Sequence, residues 1–276
     1  MVARRLPGVA ALLTACAVVV SGCGTPAERR TDASPGATAA TSSAAGQSGP
    51  SATPSTTEPA VTAPRKTLKL GAKGKSVTWL QKRLIELGYR PGKVDGRYGG
   101  TTLAAVWAFQ KVNGIRPTST VAKRTWEALE TPKAPKILVR NGKPTRAEVN
   151  LTKQVMVMYV DGEVELITHI SSGSGVPYCE TTTWQGKEQQ FCGSASTPTG
   201  NYRTTWRTSG WHKSYLGELY NPIFFNGGIA FHGALSVPLF PASHGCVRMP
   251  MNVAEVLPGM LGKGVPVHVR GKFKRP

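Results

Sequence analysis

Acidic side chains are scarce in this chain. Of its 276 residues, 15 are Asp or Glu and 34 are Lys or Arg, so the formal net charge is +19. The excess is uneven: it is +1 over residues 1–64, +12 over 65–136 and +6 over 137–276. A positive field of this kind favours polyanionic partners such as nucleic acid, anionic lipid or an acidic polymer, and charge alone does not choose among them.

A long apolar run is also missing. The basic start Met1-Val2-Ala3-Arg4-Arg5 is followed by an apolar run that ends at Val20 and is too short to span a bilayer comfortably. This pattern is typical of an export signal. It closes with Val20-Ser21-Gly22-Cys23, which resembles the bacterial lipobox, in which the cysteine is lipidated and becomes the new N-terminus.

We therefore predict a lipoprotein signal peptide over residues 1–23 with lipidation at Cys23; the alternative is an ordinary signal in which Cys23 is incidental. Export excludes nucleic acid as the main partner. The predicted location is outside the cytoplasm, anchored to the membrane and facing the cell envelope.

Cysteine is sparse, with five in the chain. Cys16 lies in the predicted signal peptide and Cys23 is the predicted lipid anchor. Cys179 and Cys192 flank a polar loop, and an oxidising compartment would let them form a disulfide. Cys246 is left alone. A buried, inert thiol is one interpretation, but its neighbours Ser-His-Gly before it and Val-Arg after it make a poor core sequence.

Two segments precede the part of the chain with alternating apolar residues. Residues 24–65 are nearly all Ala, Thr, Ser, Pro and Gly, and we predict a disordered tether there. Residues 66–131 predict a compact three-helix unit, with Ser76 capping the first helix and Thr101 or Thr102 the second. This unit has no histidine and only scattered carboxylates, so it predicts no catalytic site.

The helical unit resembles the peptidoglycan-binding domain of bacterial wall enzymes. The resemblance implies a wall-binding module, and the alternative is a helical spacer with no ligand. The residues that carry it are Gly71-Ala72-Lys73-Gly74, Val77, Leu80-Gln81, Leu87-Gly88-Tyr89, Asp95-Gly96-Arg97-Tyr98-Gly99, Thr102, Phe109-Gln110 and Thr125-Trp126-Glu127-Ala128-Leu129.

Residues 137–271 predict a mostly β, sandwich-like catalytic domain. Short runs of β-branched and large apolar residues recur there, with frequent glycine and proline between them. Asp161-Gly162 has the spacing of a tight hairpin turn. We expect strands at 137–139, 149–151, 155–160, 164–170, 200–206, 229–232 and 265–269, and a short helix at 253–261. The predicted fold class is therefore multidomain, an all-α helical domain followed by a mostly β domain.

Cys246 is the candidate nucleophile. A thiol reacts as the thiolate, and a neighbouring imidazole can accept its proton. His232 and His244 are both candidates for this base, and sequence separation does not decide between them. Zinc binding by these three side chains is a rival interpretation, but the His-x-Cys spacing is unusual for zinc and no carboxylate is near in sequence.

Glycines and an arginine complete the candidate site. Gly233, Gly245 and the main-chain amide of Cys246 are natural places for an oxyanion hole, since glycine lets a substrate carbonyl approach the backbone closely. Arg248 can bind a carboxylate through two hydrogen bonds. Together these residues predict acyl transfer on an anionic substrate.

This part of the chain resembles the L,D-transpeptidase catalytic domain. The motifs are Ser243-His244-Gly245-Cys246-Val247-Arg248-Met249, Ala230-Phe231-His232-Gly233 and Ser196-Thr197-Pro198-Thr199-Gly200. The resemblance implies Cys246 as nucleophile, His232 as base, the Gly233 carbonyl orienting the imidazole, loop geometry and oxyanion amides from His244 and Gly245, and substrate binding by Arg248 and Ser243.

The resemblance also implies a reaction. Cys246 would attack the third residue of a peptidoglycan stem, release D-alanine and pass the acyl group to a neighbouring stem as a 3→3 cross-link, or anchor another molecule to the stem. It implies no metal or organic cofactor, stem peptides and wall glycan as partners, and a monomer. The alternatives are an L,D-carboxypeptidase that uses water and a non-catalytic wall-binding lipoprotein.

Other aromatic and histidine residues receive plainer interpretations. We expect His169 and His268 to be structural. His212 could line a substrate cleft, but a surface loop is the favoured interpretation. Trp206, Trp211 and Tyr215 fit either a cleft or an ordinary core.

Overall fold

The computed structural model describes residues 61–273. The predicted signal peptide over 1–23, with Cys23, lies outside the described residues, as does most of the predicted tether over 24–65. Both stay predictions. In the part of the chain that is described, no helix is long and apolar enough to cross a membrane.

The first part of the fold contains three helices, as predicted. They are α1 (Lys75–Glu86), α2 (Gly100–Val112) and α3 (Lys123–Glu130). Helix α1 buries Val77, Leu80 and Leu84, which recur at helical spacing and form its inner face.

The predicted N-caps are wrong. Helices α1 and α2 begin after Gly74 and Gly99, and no side chain caps either helix. Ser76 lies inside α1, because the first turn closes with hydrogen bonds from Val77 and Thr78 to the Gly74 carbonyl. The hydroxyl of Thr102 instead donates to the carbonyl of Pro91.

The second part is mostly β, as predicted, with two sheets and one further hairpin. One sheet has the order β3-β2-β1-β11-β6 and the other β10-β9-β8-β7, while β4 pairs only with β5. The strands are β1 (Arg146–Asn150), β2 (Val155–Val160), β3 (Glu163–His169), β4 (Pro177–Trp184), β5 (Lys187–Ser194), β6 (Gly200–Arg203), β7 (Trp211–Ser214), β8 (Gly217–Asn226), β9 (Ile229–Gly233), β10 (Val247–Met249) and β11 (Pro266–Arg270).

The two large sheets share one core, which makes this part sandwich-like. Met156 and Leu166 from the first sheet are fully buried together with Phe231 and Val247 from the second. Helix α4 (Met251–Met260) adds Leu257 to the same core. Strands β9 and β10, which lie next to the sequence motifs of the candidate site, are anchored in this core by Phe231 and Val247.

Several segments differ from the sequence-based expectation, among them β7, β8 and β10, for which no strand was expected. Residues 137–139 form no strand, and Ile137 is exposed. The polar segment between Cys179 and Cys192, predicted as a loop, forms the antiparallel hairpin β4–β5. Its strands lack apolar alternation because both of their faces are largely exposed, and the hairpin depends on pairing and tertiary contacts instead.

The helical and β parts belong to one compact unit and share a second apolar core. Residues of β2 and β3 bury their outward-facing side chains against the helices; these are Val155, Val157, Tyr159 and Ile167. The amide of Ile167 donates to the carbonyl of Gly88 at 2.8 Å. The basic segment between the two parts therefore joins elements that pack directly against each other.

Candidate active site

Strands β9 and β10 bring the two histidine-containing motifs together. They run parallel, with Val247 opposite Phe231 and Arg248 opposite His232. Cys246 lies in the bend directly before β10, two residues before Arg248, which pairs with His232. All three residues line a cavity of about 890 Å³.

His232 is buried and has a defined tautomer. Its Nδ1 lies 2.9 Å from the carbonyl oxygen of Gly233. A carbonyl oxygen only accepts hydrogen bonds, so Nδ1 carries the proton and Nε2 is the proton-accepting nitrogen. Burial lowers the pKa of His232 to about 4, and the charge of Arg248 contributes to the lowering. The ring is therefore neutral at pH 7.

Cys246 is half-buried and is the free cysteine among the described residues. Its thiol contacts the carbonyl oxygen of Gly228 at 3.6 Å. Burial raises the pKa of the Cys246 thiol, although the main chain of Ala230 and the charge of Arg248 act in the opposite direction. Both shifts favour the uncharged forms, a neutral thiol and a neutral imidazole.

A hydrogen-bonded brace shapes the loop before the nucleophile. The buried Ser243 hydroxyl donates to the carbonyl of Cys246 and accepts from the amide of Gly245 at 3.1 Å. Thr197 Oγ1 donates to the carbonyl of Gly245 at 2.6 Å and accepts from the amide of Gly173 at 2.8 Å. These contacts make Ser243 a loop-shaping residue here; its predicted role in binding substrate stays a prediction.

Gly245 occupies a backbone conformation that other residues rarely adopt. Its φ is +140°, and a Cβ atom there would lie 3.0 Å from the carbonyl oxygen of Ser196. The glycine therefore permits both the turn and the close packing next to Cys246.

The ring of His244 contacts the hairpin β4–β5. Its Nε2 lies 2.7 Å from Glu180 Oε1, and the Tyr178 ring packs edge-on against it at 4.7 Å. Cys179, which lies between Tyr178 and Glu180 in the sequence, forms a disulfide with Cys192. Glu180 was not among the predicted site residues, because a carboxylate 64 positions from His244 carries no local signal of the contact.

Aromatic side chains wall the cavity. Tyr215 stacks on Phe191 at 4.2 Å, which joins the turn between β7 and β8 to the hairpin β4–β5. Trp206 stacks on Phe224 at 3.8 Å. Trp206, Trp211 and Tyr215 all line the cavity, so they are cleft aromatics. The surface loop favoured for His212 is wrong, because the segment pairs with β8 as strand β7; His212 lines the same cavity, which was the alternative.

Two remaining histidines lie away from the cavity lining. His169 is fully buried at the end of β3, and His268 on β11 contacts Asn201 at 2.8 Å. Between Val61 and Phe273, no three His, Cys, Asp or Glu side chains lie together as ligands of a metal ion.

The sequence matches two known families. Residues 144–269 match the L,D-transpeptidase catalytic domain and residues 73–129 match a putative peptidoglycan-binding domain. Among solved structures, the L,D-transpeptidase (residues 123–326) from Xylanimonas cellulosilytica DSM 15894 is 35% identical, covers 77% of this chain and 100% of that chain, and has a TM-score of 0.63.

Two further solved structures are more distant. An L,D-transpeptidase from Stackebrandtia nassauensis is 24% identical over 77% of this chain and 98% of that chain, with a TM-score of 0.43. One from Mycobacterium tuberculosis H37Rv is 16% identical over 46% of this chain and 58% of that chain, with a TM-score of 0.35.

Fold, site and sequence together define a cell-wall acyltransferase class. The chain belongs to the L,D-transpeptidase family and carries an N-terminal peptidoglycan-binding domain. Both matched families are peptidoglycan-associated, which indicates peptidoglycan as the partner and a function at the cell wall, outside the cytoplasm.

Proposed function

We propose that this chain is a peptidoglycan L,D-transpeptidase that forms 3→3 cross-links through a thioester on Cys246. One observation supports the proposal above the others: Cys246, His232 and Arg248 line one cavity, and the carbonyl of Gly233 leaves Nε2 of His232 as the proton acceptor. These are the groups that nucleophilic acyl transfer requires.

In the first half-reaction, Nε2 of His232 takes the proton of the thiol as Sγ attacks the carbonyl carbon of the third stem residue. The bond to the fourth residue then breaks, and the imidazolium gives its proton to the departing amine of D-alanine. We assign the oxyanion to the main-chain amide of Cys246, because the Gly245 amide already donates to Ser243. One such donor contributes roughly 3–4 kcal/mol to transition-state stabilisation.

In the second half-reaction, the side-chain amine of a neighbouring stem attacks the thioester. Its proton passes to His232 and then to Sγ as the carbon–sulfur bond breaks, so the thiol is regenerated. Arg248 binds a carboxylate of the stem through charge-assisted hydrogen bonds. Water in place of the amine would yield a shortened stem, which is L,D-carboxypeptidase activity.

The test uses purified protein with a defined disaccharide-tetrapeptide, and mass spectrometry of the products. We expect cross-linked dimers and free D-alanine from the wild-type protein and neither from Cys246→Ala. His232→Gln should slow acylation by about 10²–10⁴-fold, the range for a lost general base. Dimers formed by Cys246→Ala would contradict the proposal. A tripeptide product alone would indicate a carboxypeptidase, and wall binding without turnover a non-catalytic lipoprotein.

We further propose that the chain is a monomer exported as a lipoprotein, with Cys23 as the lipid anchor and residues 24–65 as the tether. The support is the basic start, the short apolar run and the lipobox resemblance. Metabolic labelling with a fatty acid should mark the wild-type protein and not Cys23→Ser. Equal labelling of the two proteins would exclude Cys23 as the anchor.

A further inference from the structure

Lys111 is a buried lysine that the proposed chemistry does not use. It lies in the last turn of α2, within the peptidoglycan-binding domain. Its Nζ donates to the carbonyl oxygen of Gln154 at 3.1 Å and lies 2.7 Å from Nδ1 of His169. Both partners belong to the β part of the molecule. Burial lowers the pKa of Lys111 to about 7, so its placement is costly for the folded state.

The contacts of His169 fix its tautomer. Its Nε2 lies 3.0 Å from the carbonyl oxygen of Val237, which only accepts, so Nε2 carries the proton. Nδ1 is then the acceptor for the Lys111 proton at 2.7 Å, because the Gln154 carbonyl oxygen lies farther from Nδ1, at 3.4 Å, than the Val237 carbonyl oxygen lies from Nε2. Burial and the nearby Lys111 lower the pKa of His169 to about 3, so the ring is neutral. Trp107, also on α2, packs edge-on against the ring at 5.3 Å.

Val237 lies in the segment 234–243, which connects the strand of His232 to the motif of Cys246. Four residues of this segment, Ala234, Leu235, Ser236 and Ser243, line the active-site cavity. Farther along, the carbonyl of Phe240 accepts a hydrogen bond from Ser171 at 2.7 Å. The segment therefore forms one wall of the cleft. The His169 side chain, which contacts this wall at Val237, is itself contacted by Lys111 of the helical domain.

Two other polar contacts between the helical and β parts involve no residue of this wall. Arg90 and Glu165 form an exposed ion pair at 3.5 Å. The amide of Asn252 on α4 donates to the carbonyl of Arg90 at 3.0 Å. These contacts join the two parts but leave residues 234–243 untouched, so the contribution of Lys111 can be separated from general docking.

We propose that Lys111 and His169 are a positioning pair through which the peptidoglycan-binding domain fixes the cleft wall formed by residues 234–243. Lys111 holds the His169 ring, and the ring holds the Val237 carbonyl. The helical domain is then a structural part of the substrate cleft in addition to a wall-binding module. This inference rests on the proposed transpeptidase function of the cavity.

The test compares three variants in the stem-peptide assay. His169→Gln places an amide donor near the position of Nε2 and keeps the contact with Val237, whereas His169→Asn places its amide near Nδ1 and loses that contact. Lys111→Met keeps the length of the side chain and removes the donor. We expect Lys111→Met and His169→Asn to raise the KM for the donor stem about tenfold with little change in kcat, and His169→Gln, which keeps the Val237 contact but loses the Lys111 contact, to raise it less than His169→Asn.

Glu165→Gln is the matched control, because it removes the exposed ion pair and touches no wall residue. Its KM should equal that of the wild type. A wild-type KM in Lys111→Met, or an equal KM increase in Glu165→Gln, would overturn the inference. Absence of acylation in the wild-type protein would instead overturn the proposed function.

A measurement on the wild-type protein guards against variants that fail to fold. Nitrogen-15 NMR distinguishes the two tautomers of a neutral imidazole. We expect a protonated Nε2 and an unprotonated, hydrogen-bonded Nδ1 for His169. A protonated Nδ1 would mean that the ring does not donate to Val237, and the positioning pair would be excluded.

Discussion

Thr197 Oγ1 donates a hydrogen bond to the carbonyl oxygen of Gly245 at 2.6 Å, across 48 positions of sequence. Thr197 Oγ1 also accepts a hydrogen bond from the amide of Gly173 at 2.8 Å. One buried hydroxyl therefore ties the segment that follows β3 to the peptide that precedes Cys246. This bond turns the Gly245 carbonyl towards Thr197, which leaves the following amide, that of Cys246, for the proposed oxyanion contact.

Thr197→Val should destabilise the protein and slow the reaction. The substitution keeps the shape of the side chain and leaves the Gly173 amide and the Gly245 carbonyl without their partner. We expect a loss of about 1–3 kcal/mol in the free energy of unfolding, the cost of unsatisfied buried polar groups. Denaturant unfolding measures it, with Thr199→Val as the control, because Thr199 is exposed. Equal stabilities of the two variants would show that the brace is unimportant.

Gly245→Ala tests the backbone conformation beside the nucleophile. Alanine at a φ of +140° is strained, and its Cβ would press on the Ser196 carbonyl at 3.0 Å. The expected cost is about 1–3 kcal/mol of unfolding free energy, accompanied by loss of acylation of Cys246 as read by intact mass. Gly259→Ala is the control: it lies in α4 with open space around it, and helix propensity predicts a gain of up to about 1 kcal/mol.

The sequence predicts the core strand β2 and the strand β9 that contains His232, but it predicts little of the cleft around the candidate site. Strand β2 was predicted with its observed bounds, because β-branched and large apolar residues fill a strand that packs on both faces. The hairpin β4–β5 gave no such pattern, since it is exposed and polar. Glu180 reaches His244, and Lys111 reaches His169, only through tertiary packing. Hydrophobic periodicity predicts which face of a strand or helix is buried, but it does not predict which side chain from a distant part of the sequence packs against that face.

The neutral resting pair predicts an unusual pH dependence. His232 must be unprotonated to accept the thiol proton, and its pKa is about 4. The acid limb of kcat/KM should therefore lie near pH 4 and not near the ordinary histidine value of about 6.5.

The pH dependence of the alkylation rate of Cys246 is a second test of the neutral thiol and imidazole. Because burial raises the Cys246 pKa, the rate with iodoacetamide should keep rising above about pH 8.5. A rate independent of pH between about pH 5 and pH 8 would indicate a preformed thiolate–imidazolium pair and contradict this prediction.

The disulfide should rigidify the hairpin wall of the cleft. Cys179 and Cys192 face each other across β4 and β5, next to Glu180 and Phe191, which contact His244 and Tyr215. In the double variant Cys179→Ser, Cys192→Ser we expect faster amide exchange over residues 177–194 and a higher KM. The β1–β2 ladder serves as the internal reference. Unchanged exchange in the hairpin would show that its aromatic contacts suffice.

Removal of the helical domain should destabilise the catalytic domain. Residues 137–276 alone would expose the side chains of β2 and β3 that now pack against the helices, namely Val155, Val157, Tyr159 and Ile167. Burial of each large apolar side chain contributes roughly 1.5–3 kcal/mol, so the combined loss is comparable to the 5–15 kcal/mol that typically stabilises a domain. We expect the fragment to aggregate or to unfold without a cooperative transition in size-exclusion chromatography and thermal unfolding. Residues 61–276, which retain both parts, are the control. A monomeric fragment with the melting temperature of that control would show that the shared core is dispensable, and the helices would then be an appended module and not a structural part of the enzyme.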